Sequence, residues 1–469
     1  MAKKNETETK ALTEKLLVNR KNGYFSVNDA KVKKADTFCE GYKEFLQNSK
    51  TEREAAASAC KIAQEAGFVP YDADKTYAPG DRVYVDNRGK SLLLATIGTE
   101  GCKNGVRIEA AHIDCPRLDL KPHPLFEDND LVQLKTHYYG GLKKYQWTTI
   151  PLAMHGRICR KDGTMVDVCV GEKPGDPLFT ISDLLPHLAR AQQAKTLGKA
   201  IEGEKLNVLI GSRPVRDEEG KDVFKLNTMR LLNEQFGITE EDFVSADIVF
   251  VPAYRPCDIG FDRALVGAYG QDDRSCAYAE LMAAVKVKKP VKTNITVFAD
   301  REEIGSMGNT GMQSHFLRDF IEDLADSEGV KVRHVLAKSH CLSADVTAAF
   351  DPNYADVYDT NNSTYLNNGV GVCKYTGAAG KYDTSDAGAE FVSDIRRLFD
   401  KNEVLWQIGE MGKVDAGGGG TVAMYIANMN VDVIDVGVPV LSMHSPFEVV
   451  SKLDEYMTYQ AMKVFFDAE

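Results

Sequence analysis

Several apolar runs of this chain end in side chains that bind divalent metals. His112 and Asp114 follow Val106–Ala110, and Asp272 and Asp273 follow Ala264–Tyr269. Glu302 and Glu303 follow Ile295–Ala299, Asp345 follows Cys341-Leu-Ser-Ala, and His444 follows Val438–Met443. If each run is a strand of an open α/β sheet, five strand ends deliver His, Asp, Glu, Asp and His to one crevice. That is the nitrogen and oxygen ligand set of zinc, with cobalt or manganese as substitutes. Two imidazoles and three carboxylates exceed the needs of one tetrahedral ion. They suit two ions about 4 Å apart that share a carboxylate. Two dications and three carboxylates leave about one positive charge, enough to bring the pKa of a bound water toward neutrality. Glu302 and Glu303 are adjacent and leave a strand in different directions, so one can bind metal while the other acts as base. His112 and Asp114 share a strand face, so Asp114 can orient the imidazole.

The elements that must position these groups are legible in the hydrophobic pattern. Residues 32–48 and 51–65 have helical spacing. Arg82–Ile97 reads as two strands turning at Asn87-Arg-Gly. From Lys121-Pro-His-Pro to about residue 255 the texture becomes short, alternating and turn-rich, with Tyr139-Gly-Gly among its turns and helical patches near 181–195 and 225–235. Beyond Arg263, strands near 265–269, 293–299, 341–344 and 432–441 alternate with helices near 275–287, 312–325, 385–400 and 446–467. Ser445-Pro-Phe-Glu448 reads as a capping box opening the last helix. The pattern predicts an α/β fold whose catalytic domain, 1–121 and 259–469, is interrupted by a β-rich domain at 122–258.

Composition narrows the function classes. The 469 residues carry a formal charge of −12, a poor basis for binding nucleic acid. No uncharged apolar run reaches membrane-spanning length, and the N-terminus lacks the apolar core of a secretory signal. Ten cysteines without a Cys-x-x-Cys pair read as free thiols in a reducing compartment, hence a cytoplasmic protein. Cys115 reads as a core thiol. Gly417–Gly420 lacks the lysine of a phosphate loop and reads as a tight turn beside the substrate pocket. His123, His137, His155, His315, His334 and His340 have no partner evident in the sequence, and Trp147 reads as core or interface.

The stretches Ala111-His-Ile-Asp-Cys-Pro-Arg-Leu, Gln271-Asp-Asp-Arg-Ser-Cys, Asp300-Arg-Glu-Glu-Ile-Gly-Ser, Ser343-Ala-Asp-Val and Leu441-Ser-Met-His-Ser resemble, in order and over nearly the whole chain, the motifs of the aspartyl aminopeptidase family, which includes yeast vacuolar aminopeptidase I. The resemblance implies a zinc exopeptidase-like catalytic domain with a mixed central sheet flanked by helices. It also implies an inserted dimerisation domain, and dimers that assemble into a dodecamer. Carried over, Asp272 is the bridging ligand, His112 and Asp345 hold one ion, and Glu303 and His444 hold the other. Glu302 is the general base that activates a metal-bridging hydroxide against the N-terminal peptide bond, and Asp114 orients His112. Leu185-Pro-His187-Leu-Ala resembles a segment whose histidine reaches a neighbouring subunit's site. Two stretches depart from the family's pattern: Gln271-Asp-Asp where Leu-Asp-Asn is common, and Gly417-Gly-Gly-Gly-Thr where Cys-Gly-Thr-Thr is common. The ligands survive both changes; the preference for acidic N-terminal residues does not carry over with them.

Two rival readings follow from the same residues. One is a dinuclear amidohydrolase, a deacylase or carboxypeptidase in which Arg274 or Arg301 clamps a substrate carboxylate; as simple structure, these are helix-start or surface residues. The other is a non-enzymatic assembly protein with a vestigial site, against which the intact ligand set and Glu302 argue.

Overall fold

A computed structural model describes residues 2–18, 20–216 and 220–468 of the chain. Its centre is a nine-stranded mixed sheet in the order Val69–Pro70, Arg82–Asn87, Ser91–Thr96, Asn294–Ala299, Arg107–His112, His340–Ala344, Asp432–Gly437, Val370–Cys373 and Trp406–Ile408. The four strands from Asn294–Ala299 to Asp432–Gly437 run parallel, so their carboxyl ends open on the same side. Both faces of these strands are covered, which is why their sequences read as continuous apolar runs rather than alternating ones. Leu94, Ala111, Phe298 and Leu342 pack against the helices Asp29–Gln47, Gln271–Lys286 and Lys452–Asp467. Leu93, Ile108, Val297 and Cys341 pack on the opposite face against Phe316–Ser327 and Val332–Leu336.

A second, six-stranded sheet is wholly antiparallel, in the order Met165–Val170, Leu152–Cys159, Ala246–Pro252, Arg117–Asp128, Leu131–Tyr139 and Val208–Gly211. Its apolar face packs with the helix Val223–Phe236 in a separate core that includes the fully buried Trp147. A third, five-stranded sheet joins Cys257–Ile259, Leu265–Ala268, Glu448–Ser451, Pro439–Leu441 and Thr347–Ala348.

Two expectations need correction. The last helix begins at Lys452, and its N-cap is Ser451, whose hydroxyl accepts from the N–H groups of Leu453 and Asp454. Glu448–Ser451 is a strand paired with Leu265–Ala268. The capping box at Ser445 fails because the Glu448 carboxylate is taken by the backbone N–H groups of Asp272 and His444, while Val449 and Val450 favour the pleated surface. The patch near 181–195 holds only a 3-10 turn, Pro186–Leu188, and a single turn, Arg190–Gln193. Among the described residues no helix is long and apolar enough to cross a membrane.

Candidate metal centre

Three of the five predicted runs end on parallel strands of the central sheet, but those before Asp272 and His444 belong to the third sheet, so the crevice is built by two sheets rather than one. His112 is the last residue of Arg107–His112, and Asp114 lies just beyond it. Arg301, in a left-handed conformation at φ 68°, turns the chain after Asn294–Ala299 and sets Glu302 and Glu303 on a short 3-10 turn. Asp272 lies in the non-helical backbone at the start of Gln271–Lys286. Asp345 follows His340–Ala344, and His444 stands at φ 62° after Pro439–Leu441.

Asp272 is the hub. Its Oδ1 lies 3.1 Å from His112 Nε2, and its Oδ2 lies 3.1 Å from His444 Nε2. Around that axis, Asp345 Oδ1 is 3.8 Å and Glu302 Oε2 4.0 Å from His112 Nε2, while Glu303 Oε1 is 3.6 Å from His444 Nε2. Asp114, fully buried, approaches His112 Nδ1 to 3.4 Å and accepts the backbone N–H groups of Glu302 and Glu303. It thus ties the imidazole to the turn that bears both glutamates. Sequence reasoning named all of these residues; His112, Asp272, Glu302, Glu303, Asp345 and His444 line one cavity of about 550 Å³, and Asp114 lies buried behind it.

The site's electrostatics fit a cation. Burial pushes the Glu302 carboxyl up to about 8, opposed by His112 and reinforced by Asp345. Burial also raises Glu303, Asp345 and Asp273, each with a further push from a neighbouring carboxylate. Asp272 alone among these is lowered: burial opposes its ionisation, but hydrogen bonds from His112 and His444 prevail. His444 is raised to about 11 by the Asp272 hydrogen bond and by Glu303, against its own burial. Glu303 Oε1 and both carboxylate oxygens of Asp273 are buried without a hydrogen-bond partner. Orphaned buried carboxylate oxygens are costly unless a cation meets them. Ligand atoms of His112, Asp272 and Glu303, and of His112, Asp273 and Asp345, lie within 4.8 Å of one another.

Four contributors escaped sequence reasoning. Tyr139, at the end of Leu131–Tyr139 in the second sheet, donates its hydroxyl to Asp114 Oδ2 at 2.8 Å. Two residues on, the Gly141 carbonyl lies 2.8 Å from His444 Nδ1. A Cβ on Gly140 would stand 3.2 Å from Glu303 Oε2, so the Tyr-Gly-Gly read as a turn is a close backbone approach to the site. Glu448 accepts the N–H groups of Asp272 and His444 and so fixes both residues from behind. Only the paired glycines after a strand signalled any of this.

The other residues singled out by type or spacing lie outside the ligand cluster. Cys115 is buried, its thiol directed at the Asp272 carbonyl. Gly417–Gly420 lines the cavity with Tyr375, Lys381, Glu410 and Lys413. Arg274 is a buried residue rather than a surface one, bonded to the carbonyls of Ile113 and Lys50, and Arg301 bonds Thr310. Neither arginine lines the cavity. His187 is exposed on its 3-10 turn and is not part of the cavity.

A profile of the family described as aminopeptidase I zinc metalloprotease (M18) matches residues 45–466. The chain belongs to this family. It is a zinc-dependent aminopeptidase of the M18 type, and peptides are its substrates. A relative named probable M18 family aminopeptidase 1 from Clostridium acetobutylicum is 48% identical over 460 residues, 96% of this chain and 99% of that protein. The Thermotoga maritima protein of the same name is 45% identical over 92% of this chain and 96% of its own. The crystal structure of the T. maritima M18 aminopeptidase superposes with a TM-score of 0.92 at 43% identity, covering 96% of this chain and 99% of that one. A structure of a Saccharomyces cerevisiae aminopeptidase 1 dodecamer shares the fold at a TM-score of 0.75 and 19% identity, covering 92% of this chain and 97% of that one. In this M18 aminopeptidase the expected α/β architecture is therefore present, and the carboxylate-clamp and assembly-only readings give way to the peptidase.

Proposed function

We propose that this M18 aminopeptidase holds two zinc ions per chain and releases N-terminal residues from peptides with Glu302 as its acid–base group. The observation that carries this reading is the division of Asp272: one oxygen faces His112, the other His444, each at 3.1 Å. A carboxylate so placed can bridge two ions, with His112 and Asp345 completing one and Glu303 and His444 the other. Zinc, when bound, supplies Lewis acidity to the scissile carbonyl and acidity to the attacking water. The chain's own residues do the rest. Glu302 Oε2 accepts a proton from the attacking water and passes it to the leaving amine. Asp114 holds the His112 ring and, through two backbone N–H groups, keeps Glu302 and Glu303 in register. Gly417–Gly420 line the cavity beside the reacting amide.

Replacing Glu302 with Gln tests this. The variant keeps its zinc, measured by atomic absorption, while kcat on a peptide with a free N-terminus falls by about 10²–10⁴-fold. Retained activity, or loss of metal in parallel, removes Glu302 from the base role. An N-acetylated control peptide is expected to resist the native enzyme, because the free amine is what an aminopeptidase selects.

We further propose that 122–258 forms a dimerisation domain inserted in a catalytic domain of 1–121 and 259–469, and that dimers build a dodecamer like the yeast assembly. His187 supports this reading by its surroundings: Leu184, Leu185 and Leu188 are 52%, 49% and 68% exposed beside it, an apolar tip suited to burial against a neighbour. All ten cysteines are free, which supports a reducing, cytoplasmic setting.

A further inference from the structure

Among the described residues, three groups of His, Cys, Asp and Glu place ligand atoms within 4.8 Å of one another. Two belong to the centre above. The third, Glu54, His155 and Cys169, lies away from the cavity and is the only one with a thiol. We propose that Glu54, His155 and Cys169 form an additional zinc site, structural rather than catalytic, that fastens the six-stranded sheet to the helix Glu52–Glu65.

The three side chains come from three elements. Glu54 is the third residue of Glu52–Glu65 and is already fixed there, because its Oε2 closes a capping box with the Thr51 N–H. His155 lies in Leu152–Cys159, and Cys169 faces it directly across the strand pair in Met165–Val170, an edge strand. The His155 side chain is buried, at 2% exposure. Its Nδ1 is 2.7 Å from Glu54 Oε1. Two ligand atoms about 2.0–2.1 Å from a tetrahedral zinc end about 3.3 Å apart, so this pair has to open by only about half an ångström to admit the ion. The other ring nitrogen, Nε2, is 3.1 Å from Glu172 Oε1, and Glu172 is itself held by the Gln47 amide. This is the arrangement in which an outer carboxylate fixes the tautomer and orientation of a metal-bound histidine. Binding requires Cys169 to give up its thiol proton and His155 to be neutral at Nδ1, with its remaining N–H donated to Glu172. The thiolate in the set favours zinc over magnesium or calcium, and the exposed position of Cys169 leaves the fourth ligand to water.

The test uses the full-length enzyme loaded with zinc and freed of excess. Wild type is expected to carry one more zinc per chain than Cys169→Ser, with peptidase activity the same within twofold, since Cys169 is remote from the cavity. Loading with cobalt gives a second readout, the near-ultraviolet absorption of a thiolate bound to Co²⁺. It is expected in wild type and in Cys115→Ser and absent from Cys169→Ser. The proposal is overturned if wild type lacks this absorption, if Cys169→Ser and wild type hold equal zinc, or if a thiol reagent modifies Cys169 equally fast with and without zinc. Any of these leaves His155 as an ion-paired imidazolium between Glu54 and Glu172. Because the comparison is a difference of one equivalent, it does not depend on the count at the catalytic centre, which an Asp272 variant reports separately.

Discussion

Asp272 spends its two oxygens on two imidazoles, each at 3.1 Å. Asparagine in its place keeps the volume but offers one acceptor and one donor, so one imidazole faces an N–H₂ group. Removing one partner from a buried ionic arrangement costs about 3–5 kcal/mol. Asp272→Asn is therefore expected to lower zinc affinity by roughly 10²-fold or more and to lose zinc and activity together, read by chelator competition. Glu302→Gln is expected to lose activity alone. This contrast separates a ligand from a base in two neighbouring carboxylates of the same cavity. The proposed ligands were legible in the sequence because each stands at the end of an apolar run, where strand geometry directs it to the crevice. Tyr139, Gly141 and Glu448 were not legible. No apolar run points them at the cluster: Tyr139 ends a strand of the second sheet, Gly141 follows it and Glu448 starts a strand of the third, and only the tertiary fold carries them to the residues they orient.

At the scale of elements, the strand Leu131–Tyr139 reaches out of its own sheet to touch both halves of the centre, through the Tyr139 hydroxyl on Asp114 and the Gly141 carbonyl on His444. Arg117 lies 4.0 Å over the Tyr139 ring and holds it in place. Tyr139→Phe keeps the ring and removes only the donor. Loss of such an outer partner costs about 10–100-fold in metal affinity or activity, and that loss, with an unchanged melting temperature in excess zinc, is the expected result. A drop in melting temperature with normal zinc affinity makes Tyr139 a packing residue only. The last helix shows how a local motif was overruled. Ser445-Pro-Phe-Glu and Ser451-Lys-Leu-Asp are both credible helix starts, and pairing with Leu265–Ala268 makes a strand of the interval and selects the second. Asp454, near that start, is fully buried; it accepts the N–H groups of Asn367 and Gly369, each at 2.6 Å. Burial pushes its carboxyl from 3.8 up to about 8, with those N–H groups opposing. A carboxyl raised on folding favours the protonated native state, so its stabilising contribution is present at low pH and declines as pH rises from about 4 through 8. Asp454→Asn keeps a carbonyl acceptor and cannot ionise. The melting temperature of the native enzyme is expected to fall more between pH 6 and pH 9 than that of the variant, and parallel curves would remove Asp454 as the cause.

At the scale of the whole molecule, the two large sheets are joined through a charged seam. Arg117 bridges Glu52 and Asp119, and Lys90 and Arg53 both reach Asp247. Arg117 and Glu52 are both buried, so removing either partner alone is costly, whereas the Asp247 end of the seam is open to solvent and contributes little. This explains how an antiparallel sheet can deliver Tyr139 to the carboxyl ends of the parallel strands of the mixed sheet with fixed geometry. It leaves the opposite problem at His187, which sits on an exposed tip away from its own chain's cavity. A side chain so placed can serve catalysis only in another chain. If it does, activity belongs to pairs of subunits and can be reassembled from two inactive ones. His187→Ala should fold with an unchanged melting temperature and lose activity, and Glu302→Gln should do the same for a different reason. When the two variants are coexpressed with distinct tags and the mixed oligomer is isolated, some cavities combine an intact Glu302 with an intact His187 from the neighbour, and part of the activity returns. A His187 acting within its own chain gives no such return, because every chain of the mixture lacks one of the two residues. The two outcomes differ by recovery against none. The experiment therefore decides, independently of any measured mass, whether the catalytic unit of this aminopeptidase is one chain or two.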